Sequence, residues 1–145
     1  MAASGLIGQA AATENLATRL SLLAAALDDL LRVSTDDMTV AELLPRLLHF
    51  RFDRNVAIRK WVVKLIEQSA KCRPAHLPAM MEALRDLSVD SDEKVTDAVV
   101  LSMAVIYPAA FGLLCSSDNS WRHAEFLQMW RTARRSHLPC RASLP

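Results

Sequence analysis

Glycine is scarce in this chain. Three glycines in 145 residues cannot build a phosphate-cradling loop, and no serine sits in a G-x-S-x-G elbow. Cysteine is equally sparse. Cys72, Cys115 and Cys140 are odd in number and contain no C-x-x-C pair, which favours reduced thiols over a disulfide framework, and Cys72 and Cys115, at helix ends, are expected to be buried or half-buried and inert. His49, His76, His123 and His137 are scattered without helical i, i+4 pairing, so no metal site is expected. Asp90, Asp92, Glu93 and Asp97 lack the central glycine and terminal glutamate of a calcium loop, and helix capping accounts for them. Charge of one sign is missing too. The formal net charge is +1, so no global field points to nucleic acid or to a membrane surface. No apolar run reaches ~18 residues without a polar break, so no membrane span is expected. The first eighteen residues carry no Lys or Arg, and position 2 is not glycine. A signal peptide, an Arg-rich transit peptide and myristoylation are therefore not expected. Nothing supports an enzyme or a cofactor.

What is abundant is apolar surface. The chain is 52% hydrophobic with a mean hydropathy of +0.14, above the usual ~45–50% apolar share. That excludes a mainly disordered chain and suits one domain with a real core. Periodicity near 3.6 recurs throughout, and no stretch alternates with period two, so the expected fold class is all-α with about six helices in antiparallel pairs. Residues 1–12 read as a disordered leader, residues 13–133 as the folded domain and residues 134–145 as a frayed basic tail. Thr13 is the expected cap of a helix carrying Leu16, Leu20, Leu23, Leu27 and Leu30. Pro45 falls inside the next helix, Val40–Phe50, which it would kink.

The organising feature is a pattern that occurs twice. Leu47–Ile66 reads LLHFRFDRNVAIRKWVVKLI and Leu84–Met103 reads LRDLSVDSDEKVTDAVVLSM. With Asp53 on Asp90, an offset of 37 residues, Leu47 falls on Leu84, Phe50 on Leu87, Ile58 on Val95, Val62 on Val99 and Ile66 on Met103. Each unit places an Asp at the end of an inter-helix turn, where its carboxylate can accept N–H groups at the start of the next helix. A β-branched residue then begins the buried stripe, Ile58 in one unit and Val95 in the other. Two amphipathic helices repeated at ~40 residues mark a HEAT or armadillo α-solenoid, whose stacked helices present extended surfaces to other macromolecules.

The first unit matches the HEAT pattern D-x4-[VI]-R-x2-[AV]-x3-[LI] through Asp53, Ile58, Arg59, Val62 and Ile66. In HEAT proteins the Arg and Asp of adjacent units commonly form a ladder. Here Thr96 replaces the second Arg, so the ladder is expected to be interrupted. The stretch FRFDRNVAIRKWVVKLIEQSAK, with LPAMMEALRDLSVDSDEKVTDAVVLSMAVIYPAAF after it, resembles the N-terminal HEAT domain of the symplekin family, scaffolds of pre-mRNA cleavage and polyadenylation. The features that carry it are Asp53, Val56, Ile58-Arg59-Lys60, Trp61, Ile66-Glu67, Leu84, Leu87, Asp90, Leu101, Met103 and Tyr107. The resemblance covers about 16–111. It implies a non-catalytic, nuclear scaffold whose protein partners include cleavage and polyadenylation factors and a phosphatase acting on the RNA polymerase II tail. Contact in that family is made mainly through second helices and inter-helix loops. The chain is much shorter than full-length members and departs from them after Phe111.

Lys60, Lys64 and Lys71 are the partner-binding candidates, because like charges gathered on one helix flank invite an acidic partner; a solvated flank is the plainer reading. Asp53, Ile58, Arg59, Trp61, Ile66, Asp90 and Val95 are expected to be structural, with Trp61 in the buried stripe. Towards the end of the chain Arg122, Arg131, Arg134, Arg135 and Arg141 interleave with Trp121 and Trp130. This is a possible RNA surface, set against the plainer reading of an amphipathic helix packed through its tryptophans. A HEAT adaptor of a transport or cytoskeletal class is the other alternative.

Overall fold

The computed structural model describes residues 3–32 and 36–114, together with Gln128 and Arg131. Within them the fold is all-α. Six helices follow one another as α1 (Ala3–Ala12), α2 (Leu16–Leu31), α3 (Asp37–Leu48), α4 (Val56–Cys72), α5 (Leu77–Ser88) and α6 (Glu93–Leu114). Short 3-10 turns at His49–Phe52 and Pro74–His76 lead into α4 and α5. No strand occurs among the described residues.

Side-chain caps punctuate the helices. Asn15 Oδ1 accepts from the N–H of Thr18 at 2.9 Å and opens α2. Thr13, expected in that role, closes α1 instead, its hydroxyl donating to the Gln9 carbonyl. Asp36 accepts from the N–H of Thr39 and opens α3. The hydrogen bonds from Thr39 hold its carboxyl below the ordinary value. Asn55 opens α4 by accepting from the N–H of Ala57 at 2.8 Å. Asp92 Oδ1 accepts from the N–H of Lys94 at the head of α6, so the acidic turn before α6 serves capping, as its composition implies. Pro45 lies inside α3.

Residues 3–12, read from sequence as a disordered leader, form α1. Ala3, Ile7 and Ala10 are buried against the rest of the protein. Ala3 and Ala10 are small enough to let α1 pack closely on α2 around Ile7, and the alanines favour the helix without needing a cap. The Ala3 N–H donates to Asp29 in α2.

The helices lie in two layers. α1, α3 and α5 contact one another in succession, as do α2, α4 and α6. α1 pairs with α2 and α5 with α6, while the 3-10 turn His49–Phe52 joins α3 to α4. The core runs between the layers through Leu23, Leu30, Leu44, Leu47, Ile58, Leu65, Ile66, Met80, Leu84, Val95 and Val99. Ile58, Ile66 and Val95 are fully buried, as the repeat alignment requires. Trp61 is not: it is half-buried, packed against the edge of the core. Its position on the helical wheel lies beside the stripe of Ile58, Val62 and Leu65, which turns its ring to the seam between α2 and α4. Cys72, expected to be at least half-buried, is exposed and free at the last position of α4. The helix expected over Trp121–Ala133, the basic tail, Cys115, Cys140, His123 and His137 lie outside the described residues, Gln128 and Arg131 apart.

Candidate partner-binding surface

Arginine and aspartate pairs tie helices distant in sequence together. Arg19 of α2 forms a two-pronged ion pair with Asp53, just ahead of α4, one prong spanning 3.3 Å. Arg59 of α4 does the same with Asp90, ahead of α6, at 2.8 and 3.2 Å. Both pairs are largely withdrawn from solvent, and planar guanidinium on carboxylate is the geometry that makes such a bond strong and directional. Arg51 adds a third contact, to Asp86 of α5 at 2.8 Å, and Arg73 a fourth, to Asp37 of α3 at 3.2 Å.

The two aspartates also organise their own turns. Asp53 accepts from the N–H of Asn55 at 2.9 Å, and Asp90 from the N–H of Asp92 at 2.8 Å. Each carboxylate thus orders the residues two ahead while gripping the previous hairpin. Burial disfavours the ionised form of Asp53. Hydrogen bonds from Arg19 and Asn55, with the charges of Arg19 and Arg54, outweigh it and hold the carboxyl below its ordinary value.

Both rungs lie ahead of Thr96, which stands where an arginine would be needed for an onward rung. Each rung runs forward, from the Arg of one hairpin to the Asp of the next, and both Arg59 and Asp90 are present. Thr96, at the position equivalent to Arg59, is buried and donates to the Glu93 carbonyl at 3.1 Å. The rung that sequence reading missed is Arg19. Its signal was present, because Arg19 precedes Arg59 by 40 residues. The alignment was anchored on aspartate, however, and Thr13 occupies the corresponding place.

The outer face of α2, α4 and α6 carries a groove of about 710 Å³. Lys60, Lys64 and Lys71 all line it, joined by Lys94 of α6. Trp61 forms part of its wall, shared with a second depression between α2 and α4 that Leu20, Ala24 and Leu27 also line. Leu101 of α6, 74% exposed, stands at the other side. Glu67 and Asp97 are the acidic lining residues. No ion pair involves Lys60, Lys64, Lys71 or Lys94 among the described residues. The sequence-predicted lysines therefore share one surface, and the structure adds Lys94, Trp61 and Leu101 to it. Such an arrangement can receive an acidic surface with an apolar anchor.

Among the described residues no cluster of three or more His, Cys, Asp or Glu side chains could hold a metal ion, and no helix is long and apolar enough to cross a membrane. Comparison with protein-family models and with characterised proteins finds no match.

Proposed function

We propose that this chain is a non-catalytic protein-binding scaffold, a HEAT-type stack of helical hairpins resembling the symplekin N-terminal domain and working in mRNA 3′-end processing in the nucleus. The observation that carries this reading is the pair of rungs Arg19–Asp53 and Arg59–Asp90. They recur at equivalent places 40 and 37 residues apart for Arg and Asp, and the unit they share, Asp53 to Arg59, has the Asp and Arg spacing of the HEAT pattern. Rigid stacking of this kind fixes a row of second helices as one surface. The lysine-rimmed groove on α2, α4 and α6 is the part of that surface suited to a partner. By resemblance, the partners are cleavage and polyadenylation factors and the phosphatase that acts on the RNA polymerase II tail.

The test is capture of that phosphatase by the immobilised full chain, with and without Lys60→Glu and Lys64→Glu. Loss of capture by a variant of unchanged thermal stability supports the reading. Capture of transport or cytoskeletal proteins in its place would move the chain to another HEAT class.

A further inference from the structure

A second groove, of about 670 Å³, lies away from the lysine face, where α1 and α3 meet the 3-10 turn before α4. Its character differs. Phe50 and Phe52 both line it, as does His49, whose ring meets Phe52 edge to face with centroids 5.4 Å apart. Phe52 is 58% exposed, so part of its ring is open to a ligand. The Arg51 guanidinium sits over its ring at 4.4 Å, which orients the ring without enclosing it.

Cations surround these rings. Arg46 and Arg54 line the groove and are exposed. Arg46 donates to the Ser4 hydroxyl at 2.9 Å, and neither arginine has an acidic partner among the described residues. The one acid in the lining, Asp53, is already neutralised by Arg19. With Asp53 the one acid beside Arg19, Arg46 and Arg54, the lining carries a net positive charge next to aromatic rings. That combination suits a ligand that is anionic along its backbone and aromatic in its side groups.

We infer that this groove binds single-stranded nucleic acid, with a base stacked on Phe52 and flanking phosphates held by Arg46 and Arg54. An acidic peptide would satisfy the arginines equally. It would use the charges alone, whereas a base can also stack on the exposed part of the Phe52 ring, beside Arg51 and His49. The site is distinct from the lysine groove and does not depend on the scaffold reading.

Binding of fluorescein-labelled oligo(rU) and oligo(dU) to the full chain, followed by fluorescence anisotropy across a salt series, tests this. Affinity should fall linearly on a log–log salt plot, and Arg46→Gln and Arg54→Gln should each reduce the slope by about 0.7. Phe52→Ala should weaken binding about tenfold, and Phe52→Trp should restore it. Gly8→Met supplies a blocking variant. A side chain there meets nothing within 4 Å and projects into open space, and replacing a helical glycine does not threaten the fold. It should obstruct the strand while leaving the thermal midpoint intact. Binding of both sugars supports the site, and a ribose preference assigns RNA as the source. The inference is overturned if neither strand binds at low salt, or if binding ignores both Phe52→Ala and Gly8→Met. It is also overturned if a labelled oligoglutamate peptide binds as tightly as oligo(rU) and is indifferent to Phe52→Ala.

Discussion

Arg59 and Asp90, 31 residues apart, are joined by two hydrogen bonds of 2.8 and 3.2 Å, and the same guanidinium donates to the carbonyls of Asp53 and Arg54. One side chain therefore touches the turn that starts its own helix and the turn that starts α6. Arg19 occupies the matching position one hairpin earlier, bridging to Asp53 while its Nε donates to the Ala10 carbonyl at 3.1 Å. Arg59 thus ties two inter-helix turns together, and Arg19 ties the last turn of α1 to the turn before α4.

Replacing Arg59 should consequently cost more than a surface ion pair. Arg59→Ala removes the guanidinium partner of a carboxylate that is only 9% exposed. The expected loss is ~2–4 kcal/mol, from an incompletely solvated charge and lost hydrogen bonds. Arg59→Lys should recover only part of it, because an ammonium cannot reproduce the fork. Urea denaturation midpoints measure both. A lysine variant as stable as the parent would show that charge alone suffices.

The Arg19–Asp53 pair should leave a mark on acid stability. The folded carboxyl lies below the ordinary value of 3.8, so the unfolded chain takes up the proton first as pH falls. The contribution of the pair is therefore complete above about pH 3.8 and is lost as pH drops through the folded value. Asp53→Asn should be less stable than the parent at neutral pH, with the gap closing at more acidic pH. Unfolding curves collected across that range decide it; a gap independent of pH would mean Asp53 contributes through shape alone.

Ile7 tests whether α1 belongs to the folded body. It is 3% exposed in a helix that composition alone reads as a leader. Ile7→Ala should destabilise by ~2–4 kcal/mol, the ordinary cost of truncating a buried isoleucine. Ile66→Ala, in the centre of α4 and fully buried, should cost ~2–5 kcal/mol. Should Ile7→Ala leave the thermal midpoint unmoved while Ile66→Ala lowers it, α1 would not be part of the cooperative unit.

Charge reversal at Lys60 and Lys64 should separate binding from stability. Both side chains are exposed, so the double variant should stay within ~0.5 kcal/mol of the parent. Capture of an acidic partner should fall, and more steeply at low salt than at high salt, since such attraction is screened. Unchanged capture across the salt series would leave the lysine flank merely solvated.

Five of the six described helices, α2 to α6, were legible in the residue pattern alone. Apolar spacing near 3.6 needs no tertiary information, and it placed Ile58, Ile66 and Val95 in the core. The aspartates before α4 and α6 were legible for the same reason: unpaired N–H groups at a helix start create a local demand that a nearby carboxylate meets. Lys60 and Lys64 could be put on one flank because helical geometry fixes which residues are neighbours. Tertiary structure decided what no local window contains. It ordered α1, whose small residues gain stability only when α2 and α3 cover them. It moved Trp61 from the core to a groove wall, since which edge of a stripe is covered depends on the neighbouring helix. It completed the rungs Arg19–Asp53 and Arg59–Asp90. The partner of a charge on another helix is set by how the helices pack on one another, and that is not a property of spacing along the chain.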